Sequence, residues 1–186
     1  MTDTPILCTA FSGVARLAAG PLPDVALAVK AALAKDPQAS LLVFHDSTGA
    51  VIDLDLRGSD AEIVARLAPA ETRGRGRPKL GVVAREVTLL PRHWDWLAAQ
   101  PGGASQALRR LIDVARKTDE GRTDTRLRLD AAYRFLAVLA GNMPGFEEAA
   151  RALFANDAKR FAQLTAAWPL DLCAHAHKLA WNEERD

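Results

Sequence analysis

Short apolar runs and turn signals alternate at the start of the chain. Two apolar runs, residues 6–11 and 14–18, flank Ser12-Gly13, and this arrangement predicts a β-hairpin. Pro21 and Pro23 then open a segment in which apolar residues recur at helical spacing. The pattern therefore predicts two strands followed by a helix.

A second pair of strands and a second helix are predicted next. Residues 41–44 and 51–56 are apolar or alternating runs on either side of the turn signal Asp46-Ser47-Thr48-Gly49. Ser59-Asp60-Ala61-Glu62 is a capping box that starts a helix ending near Pro69. The order ββαββα favours a four-stranded, mainly antiparallel sheet with both helices on one face.

The chain then changes character. Residues 70–81 have almost no apolar side chains and contain three Gly and a Pro, which predicts a linker and a domain boundary. Residues 82–90 are a candidate strand, Pro91 starts a helix, and Ser105 is a candidate cap for a second helix over residues 106–116.

The remaining chain reads as a polar loop over residues 118–125 and four helices. Apolar faces predict these helices near residues 126–140, 145–155, 157–167 and 170–182. The fold class expected is α+β, in three parts: an α/β unit over 1–69, a basic Gly/Arg linker over 70–81, and a strand-helix-helix with a helical bundle over 82–186.

The composition of the chain also predicts where in the cell the protein is located. Cys8 and Cys173 are the two cysteines among 186 residues, the N-terminus lacks the features of a signal peptide, and no apolar stretch approaches the roughly 18 residues of a membrane span. These features predict a soluble cytoplasmic protein without a membrane partner.

The charge distribution is uneven although the net charge is only +1. Residues 1–72 carry 5 basic and 9 acidic side chains, whereas residues 73–92 carry six basic side chains against Glu86 alone. Residues 93–186 carry 13 of each. A short basic segment of this kind attracts polyanions.

Gly74-Arg75-Gly76-Arg77-Pro78-Lys79 resembles an AT-hook. The resemblance implies that an extended Arg-Gly-Arg lies in a narrow, A·T-rich minor groove, where negative potential is concentrated. A single hook neutralises few phosphates and binds weakly, so a second contact or a second subunit is required. The alternative interpretation is a flexible, solvated linker.

Residues 82–116 resemble a ribbon-helix-helix DNA-binding unit of the MetJ/Arc type, in which two chains pair their strands. The resemblance implies that Arg85, Val87 and Leu89 form the exposed face of the ribbon, and that Gly103, Ala104 and Ser105 hold a phosphate. Arg109 and Arg110 lie one turn further along.

The segment departs from that family at two groove-facing positions, because Val87 and Leu89 cannot hydrogen-bond base edges. The alternative is that it docks the bundle onto the α/β unit, with Trp94, Trp96 and Leu97 as core. Over its whole length the chain resembles an uncharacterised bacterial domain-of-unknown-function family, which implies no activity.

Other side-chain groups are expected to be structural. Cys173 and His177 would share a helix face, but no second ligand pair exists at useful spacing, so we expect no metal, with His175 exposed. Asp53, Asp55 and His45 are expected on a solvated sheet face. No catalytic motif is recognisable, so neither an enzyme nor a cofactor is expected.

The sequence thus predicts a homodimeric DNA-binding protein of the cytoplasm or nucleoid, a transcriptional regulator or nucleoid-associated factor that prefers A·T-rich DNA. The alternative is a protein-interaction or assembly module whose basic segment binds an acidic partner or RNA. The predicted DNA-binding residues are Arg73, Arg75, Gly76, Arg77, Pro78, Lys79, Arg85, Ser105 and Arg109.

Overall fold

The computed structural model of the protein describes residues 5–68 and 85–181. Over these residues the fold is α+β, as predicted. The strands are β1 (Leu7–Ser12), β2 (Ala15–Pro21) and β3 (Leu41–His45). The helices are α1 (Leu22–Lys35), α2 (Asp60–Leu67), α3 (Pro91–Ala98), α4 (Gly103–Asp119), α5 (Arg122–Leu139), α6 (Phe146–Phe154), α7 (Ala158–Leu164) and α8 (Leu170–Trp181).

Contacts divide the chain into two compact units. The described part of one comprises residues 5–68 and 124–181 and is called here the sheet unit; that of the other comprises residues 85–123 and is called the two-helix unit. The C-terminal helices therefore group with the sheet, whereas the sequence pattern places them with residues 82–116. No helix in the described ranges is both long and apolar enough to cross a bilayer.

The sheet is antiparallel, with strand order β2-β1-β3. The predicted hairpin forms between β1 and β2, and Gly13 adopts a positive φ of 57° in its turn, a conformation that costs Gly little. On the other edge of β1, Cys8 pairs with His45 and Ser12 with Leu41. β1 is consequently the central strand, paired on both sides.

The predicted fourth strand, residues 51–56, is wrong as a strand. Only an isolated bridge joins Val51 to Phe44 in the described structure. Arg66 of α2 donates hydrogen bonds to the carbonyl oxygens of Asp55 (2.6 Å) and Arg57 (2.9 Å), which a ladder would otherwise use. The predicted alternation is still visible in the packing, because the side chains of Ile52, Leu54 and Leu56 are partly buried against the apolar cluster between the sheet and α1.

One face of the sheet packs on α1. Cys8, Ala10 and Val43 point from the strands into a cluster with Val25 and Val29 of the helix. α2 contacts α1 rather than extending the sheet. The predicted capping box at its start is confirmed: the Ser59 side chain accepts from the Glu62 N–H, and Glu62 accepts from the Ser59 N–H at 2.7 Å.

The opposite face of the sheet packs on α5 and α8. Phe11 of β1 and Phe44 of β3 are fully buried, and their ring centroids lie 5.1 and 4.9 Å from that of Phe135 on α5. His175 of α8 completes the aromatic group, 5.4 Å from Phe11. The sheet unit is therefore a three-layer structure with its single sheet between helices.

The predicted C-terminal helices are confirmed as α5 to α8, with two adjustments at their ends. α4 continues to Asp119 and α5 begins at Arg122, so most of the predicted loop over residues 118–125 is helical. The break is confined to Glu120 and Gly121, which both have positive φ. Asp119 caps the start of α5 by accepting from the Thr123 N–H at 2.9 Å.

The two-helix unit departs from its predicted strand. Residues 85–90 are in no strand, and residues 82–84 lie outside the described part of the chain. The physical reason is pairing: a strand needs neighbouring backbone groups, and no described strand is bonded to residues 85–90. Pro91 does stand at the first turn of α3, as predicted.

Candidate functional site

Charge is segregated between the two contact-defined units. Residues 72–123 carry 11 basic and 5 acidic side chains, a net charge of +6. The other residues carry 13 basic and 18 acidic side chains, a net charge of −5. The nearly neutral total therefore combines a basic unit with an acidic one, and polyanions would be attracted to the basic unit.

Six of the nine predicted DNA-binding residues lie outside the described part of the chain. They are Arg73, Arg75, Gly76, Arg77, Pro78 and Lys79. The interpretation of residues 74–79 as an AT-hook thus stays a prediction.

The other three predicted residues lie in the two-helix unit and are exposed. Arg85 precedes α3, Ser105 is in the first turn of α4, and Arg109 is one turn further along α4. The prediction of Ser105 as the N-cap is wrong, because α4 begins two residues earlier, at Gly103. Gly102 is the N-cap with φ 81°, a left-handed conformation that a serine adopts less readily.

The start of α4 has no side-chain cap. The Gly103 N–H donates to the Gln100 carbonyl at 3.0 Å, and the Gln106 side chain lies against Gly102. Arg109 and Arg110, both exposed, lie six and seven residues after Gly103, about two turns from the positive end of the helix dipole.

The two-helix unit exposes much of its apolar surface. Leu97 (3 % exposed) and Ala107 (0 %) are buried between α3 and α4. The exposed large apolar residues are Val87, Leu90, Trp94, Trp96, Leu111, Ile112 and Val114. Of the three residues that the docking alternative expects in a core, Leu97 is buried, whereas Trp94 and Trp96 are 41 % and 51 % exposed.

The candidate metal ligands near the C-terminus are packed into the sheet unit. His175 was expected to be exposed, yet it is 3 % exposed because α8 turns that face toward Phe11 and Phe135. Burial lowers the pKa of His175 to about 4. Its Nε2 has no hydrogen-bond partner among the described residues. No group of three metal-ligating side chains occurs in the described ranges.

Of Asp53 and Asp55, which follow β3 in the chain, Asp55 is occupied by structural contacts. Arg57 donates two hydrogen bonds of 2.8 Å to the Asp55 carboxylate, and Arg66 lies 3.3 Å from it. These bonds hold the pKa of Asp55 well below its usual range. His45 accepts from the Ser47 N–H through Nδ1 at 3.1 Å.

A cavity that the sequence did not indicate opens at one end of the sheet unit. Its volume is about 520 Å³, and the start of β1, the loop after β3, α5 and α8 form its walls. Charged or polar lining residues are His45, Asp46, Ser47, Arg128 and Lys178. Because these residues come from three distant segments, no local motif could have predicted the cavity.

Comparison with known proteins gives a family and no closer relative. No curated protein and no solved structure matches the chain. The model of one bacterial family, described as an uncharacterized protein conserved in bacteria (DUF2239), matches residues 7–180. That match spans both units and nearly the whole chain, and the protein therefore belongs to the DUF2239 family of bacteria.

Proposed function

We propose that the protein binds DNA as a homodimer, with a preference for A·T-rich sequence, and acts as a transcriptional regulator or nucleoid-associated factor. The observation that carries the proposal is the segregation of charge: a net charge of +6 falls on residues 72–123 and −5 on the rest. Lys and Arg that neutralise phosphates supply most of the sequence-independent affinity for DNA.

The basic segment would supply the preference. In the AT-hook interpretation Arg75 and Arg77 enter a narrow minor groove, Gly76 allows the backbone to approach the bases, and Lys79 reaches a phosphate. Arg85 would add a further positive charge, because it lies between this segment and the start of α3 in the sequence.

The start of α4 would supply a second contact. Its uncapped N–H groups at Ala104 and Ser105 favour a phosphate, and Arg109 adds a charge one turn away. Contacts of this type fix the register of a protein on DNA without reading sequence.

A second copy of the chain would cover the apolar surface of the two-helix unit. The ribbon-helix-helix resemblance implies this pairing, and the exposure of Trp94, Ile112 and Val114 supports it. Val87, 54 % exposed, would face thymine methyl groups or the second copy of the chain rather than hydrogen-bonding base edges.

The direct test is a gel shift of the full-length protein on A·T-rich, G·C-rich and random duplexes at two salt concentrations. Arg75→Ala with Arg77→Ala should lower affinity for A·T-rich duplex roughly ten- to a thousand-fold, abolish the preference, and reduce the salt slope by about two units. Arg109→Ala should weaken binding to all duplexes alike. Wild-type protein that binds no duplex at low salt would overturn the proposal.

A second candidate function is a protein-interaction or assembly module whose basic segment binds an acidic partner or RNA. The exposed tryptophans of α3 favour it, since Trp is enriched where proteins meet. Two measurements separate the candidates: light scattering at tens of micromolar gives the oligomeric state, and gel shifts compare single-stranded RNA with duplex DNA. A monomer that binds single-stranded RNA better than duplex DNA would favour the second candidate.

A further inference from the structure

The cavity of the sheet unit has the size of a small-molecule site. Its volume of about 520 Å³ lies within the range of roughly 300–1,000 Å³ that ligand pockets occupy. Residues from β1, the loop after β3, α5 and α8 converge on it, so the wall belongs to elements that the core already holds in place. A site built in this way is largely formed before any ligand arrives.

Part of the cavity lining is apolar and incompletely covered. Ile6, just before β1, and Leu7, its first residue, are 47 % and 48 % exposed, and Leu179 of α8 also lines the cavity. Apolar side chains at the mouth of a cavity gain free energy when an apolar group removes them from water.

Among the described residues that line the cavity, positive charges outnumber negative ones. Arg128 comes from α5 and Lys178 from α8, and the carboxylate among these described residues is that of Asp46. Arg128 is held in place because its Nε donates to the Ala180 carbonyl at 3.2 Å. Asp46 is drawn toward the sheet, since one carboxylate oxygen accepts from the Thr9 hydroxyl at 2.9 Å.

We propose that this cavity binds a small anion with an apolar body, of the class of medium-chain carboxylates. The acid group pairs with Arg128 and Lys178, and the apolar chain lies against Ile6, Leu7 and Leu179. Arginine and lysine side chains recognise a carboxylate by charge-assisted hydrogen bonds. The site is separate from the proposed DNA contacts, all of which lie in residues 73–109, and it stands whether or not the protein binds DNA.

The test is a titration of the ¹⁵N-labelled full-length protein with octanoate, followed by amide chemical shifts. Octylammonium serves as the matched probe, since it has the same apolar length and the opposite charge. We expect octanoate to shift the amides of Leu7, Asp46, Ser47 and Leu179, and octylammonium to bind at least roughly tenfold more weakly. Equal affinities, or shifts confined to α3 and α4, would overturn the proposal.

Variants tie the binding to the cavity. Arg128→Gln should weaken octanoate binding roughly tenfold or more, which is the loss of one charge-assisted hydrogen bond. Arg126→Gln is the matched control, because Arg126 is exposed on the same helix and does not line the cavity.

Because Arg128 also holds the end of α8, Lys178→Gln is the second variant, and the dispersion of the amide spectrum reports whether each variant is folded. Weaker octanoate binding by a folded variant supports the site. Folded variants at both positions that bind octanoate as the wild type does would overturn it. DNA binding is measured separately by the gel shift, so the cavity proposal and the DNA proposal can be contradicted independently of each other.

Discussion

The sheet unit and the two-helix unit differ in how far their large apolar side chains are buried. In the sheet unit both faces of a three-stranded sheet are covered, and Phe11, Phe44 and Phe135 are fully buried. In the two-helix unit Leu97 and Ala107 are buried, while Ile112 is 55 % exposed.

This difference in apolar burial indicates how each unit is stabilised. Buried apolar area is the main favourable contribution to folding, and the sheet unit obtains it from its own chain. The two-helix unit obtains less of this contribution from its own described residues, because Leu97 and Ala107 are buried while seven large apolar side chains are exposed. In the function proposed above, its excess of basic residues would meet a polyanion, and its apolar residues would meet a second copy of the chain.

The largest expected effect comes from the centre of the sheet unit. Phe135→Ala removes the ring that contacts both Phe11 and Phe44, and it should lower the free energy of unfolding by about 3–5 kcal/mol. Val138→Ala on the same helix is the control, since Val138 is 50 % exposed and should change stability by less than about 1 kcal/mol. Urea denaturation measures both, and similar losses would break the comparison.

The second prediction concerns acid. The pKa of His175 is lowered by burial from 6.5 to about 4 in the folded protein, so the unfolded chain binds the proton more readily. Above pH 6.5 His175 is neutral in both states and does not lower the free energy of unfolding. As the pH falls from 6.5 toward 4, protonation of the unfolded chain should lower the free energy of unfolding by up to about 3 kcal/mol. His175→Leu should flatten this part of the pH dependence, and an unchanged slope in the variant would contradict the assignment to His175.

The third prediction compares two glycines of the sheet unit. Gly49 has φ 64°, and a Cβ there would lie 1.9 Å from the backbone oxygen of Ala131 on α5. Gly13 has a similar φ of 57° with nothing within 4 Å of such a Cβ. Gly49→Ala should therefore cost about 1–3 kcal/mol more than Gly13→Ala, which carries only the backbone cost of about 1–2 kcal/mol. Thermal denaturation of the two variants measures the difference, and equal costs would mean that the loop moves freely away from α5.

The smallest expected effect lies in the two-helix unit. Ile112→Ser should change the unfolding free energy of dilute protein by less than about 1 kcal/mol, whereas Ile63→Ser, at a fully buried position of α2, should cost several times more. At higher concentration Ile112→Ser should reduce the dimer fraction seen by light scattering. Dilute Ile112→Ser protein as unstable as the Ile63→Ser variant would show that α4 is already covered within one chain.

Much of the fold was predictable because its signals are local. The β1–β2 hairpin follows from two apolar runs around a glycine turn, and the start of α2 follows from Ser59 and Glu62, three residues apart. The start of α4 was misplaced because Ser105 is a good cap by type, whereas Gly102 already adopts the capping conformation. The cavity residues could not be predicted, since Asp46, Arg128 and Lys178 are far apart in the chain and carry no motif.

The sequence by itself determined the α+β class, most helices, the capping of α2 and the basic segment, because each depends on residue type over a few neighbouring positions. The tertiary structure decided three other matters: that residues 51–56 form no ladder, that α5 and α8 cover the second face of the sheet, and that His175 is buried. The physical reason is distance along the chain. Phe11 and Phe135 meet only when distant segments of the sheet unit fold together, and the free energy of that burial outweighs what local patterns favour.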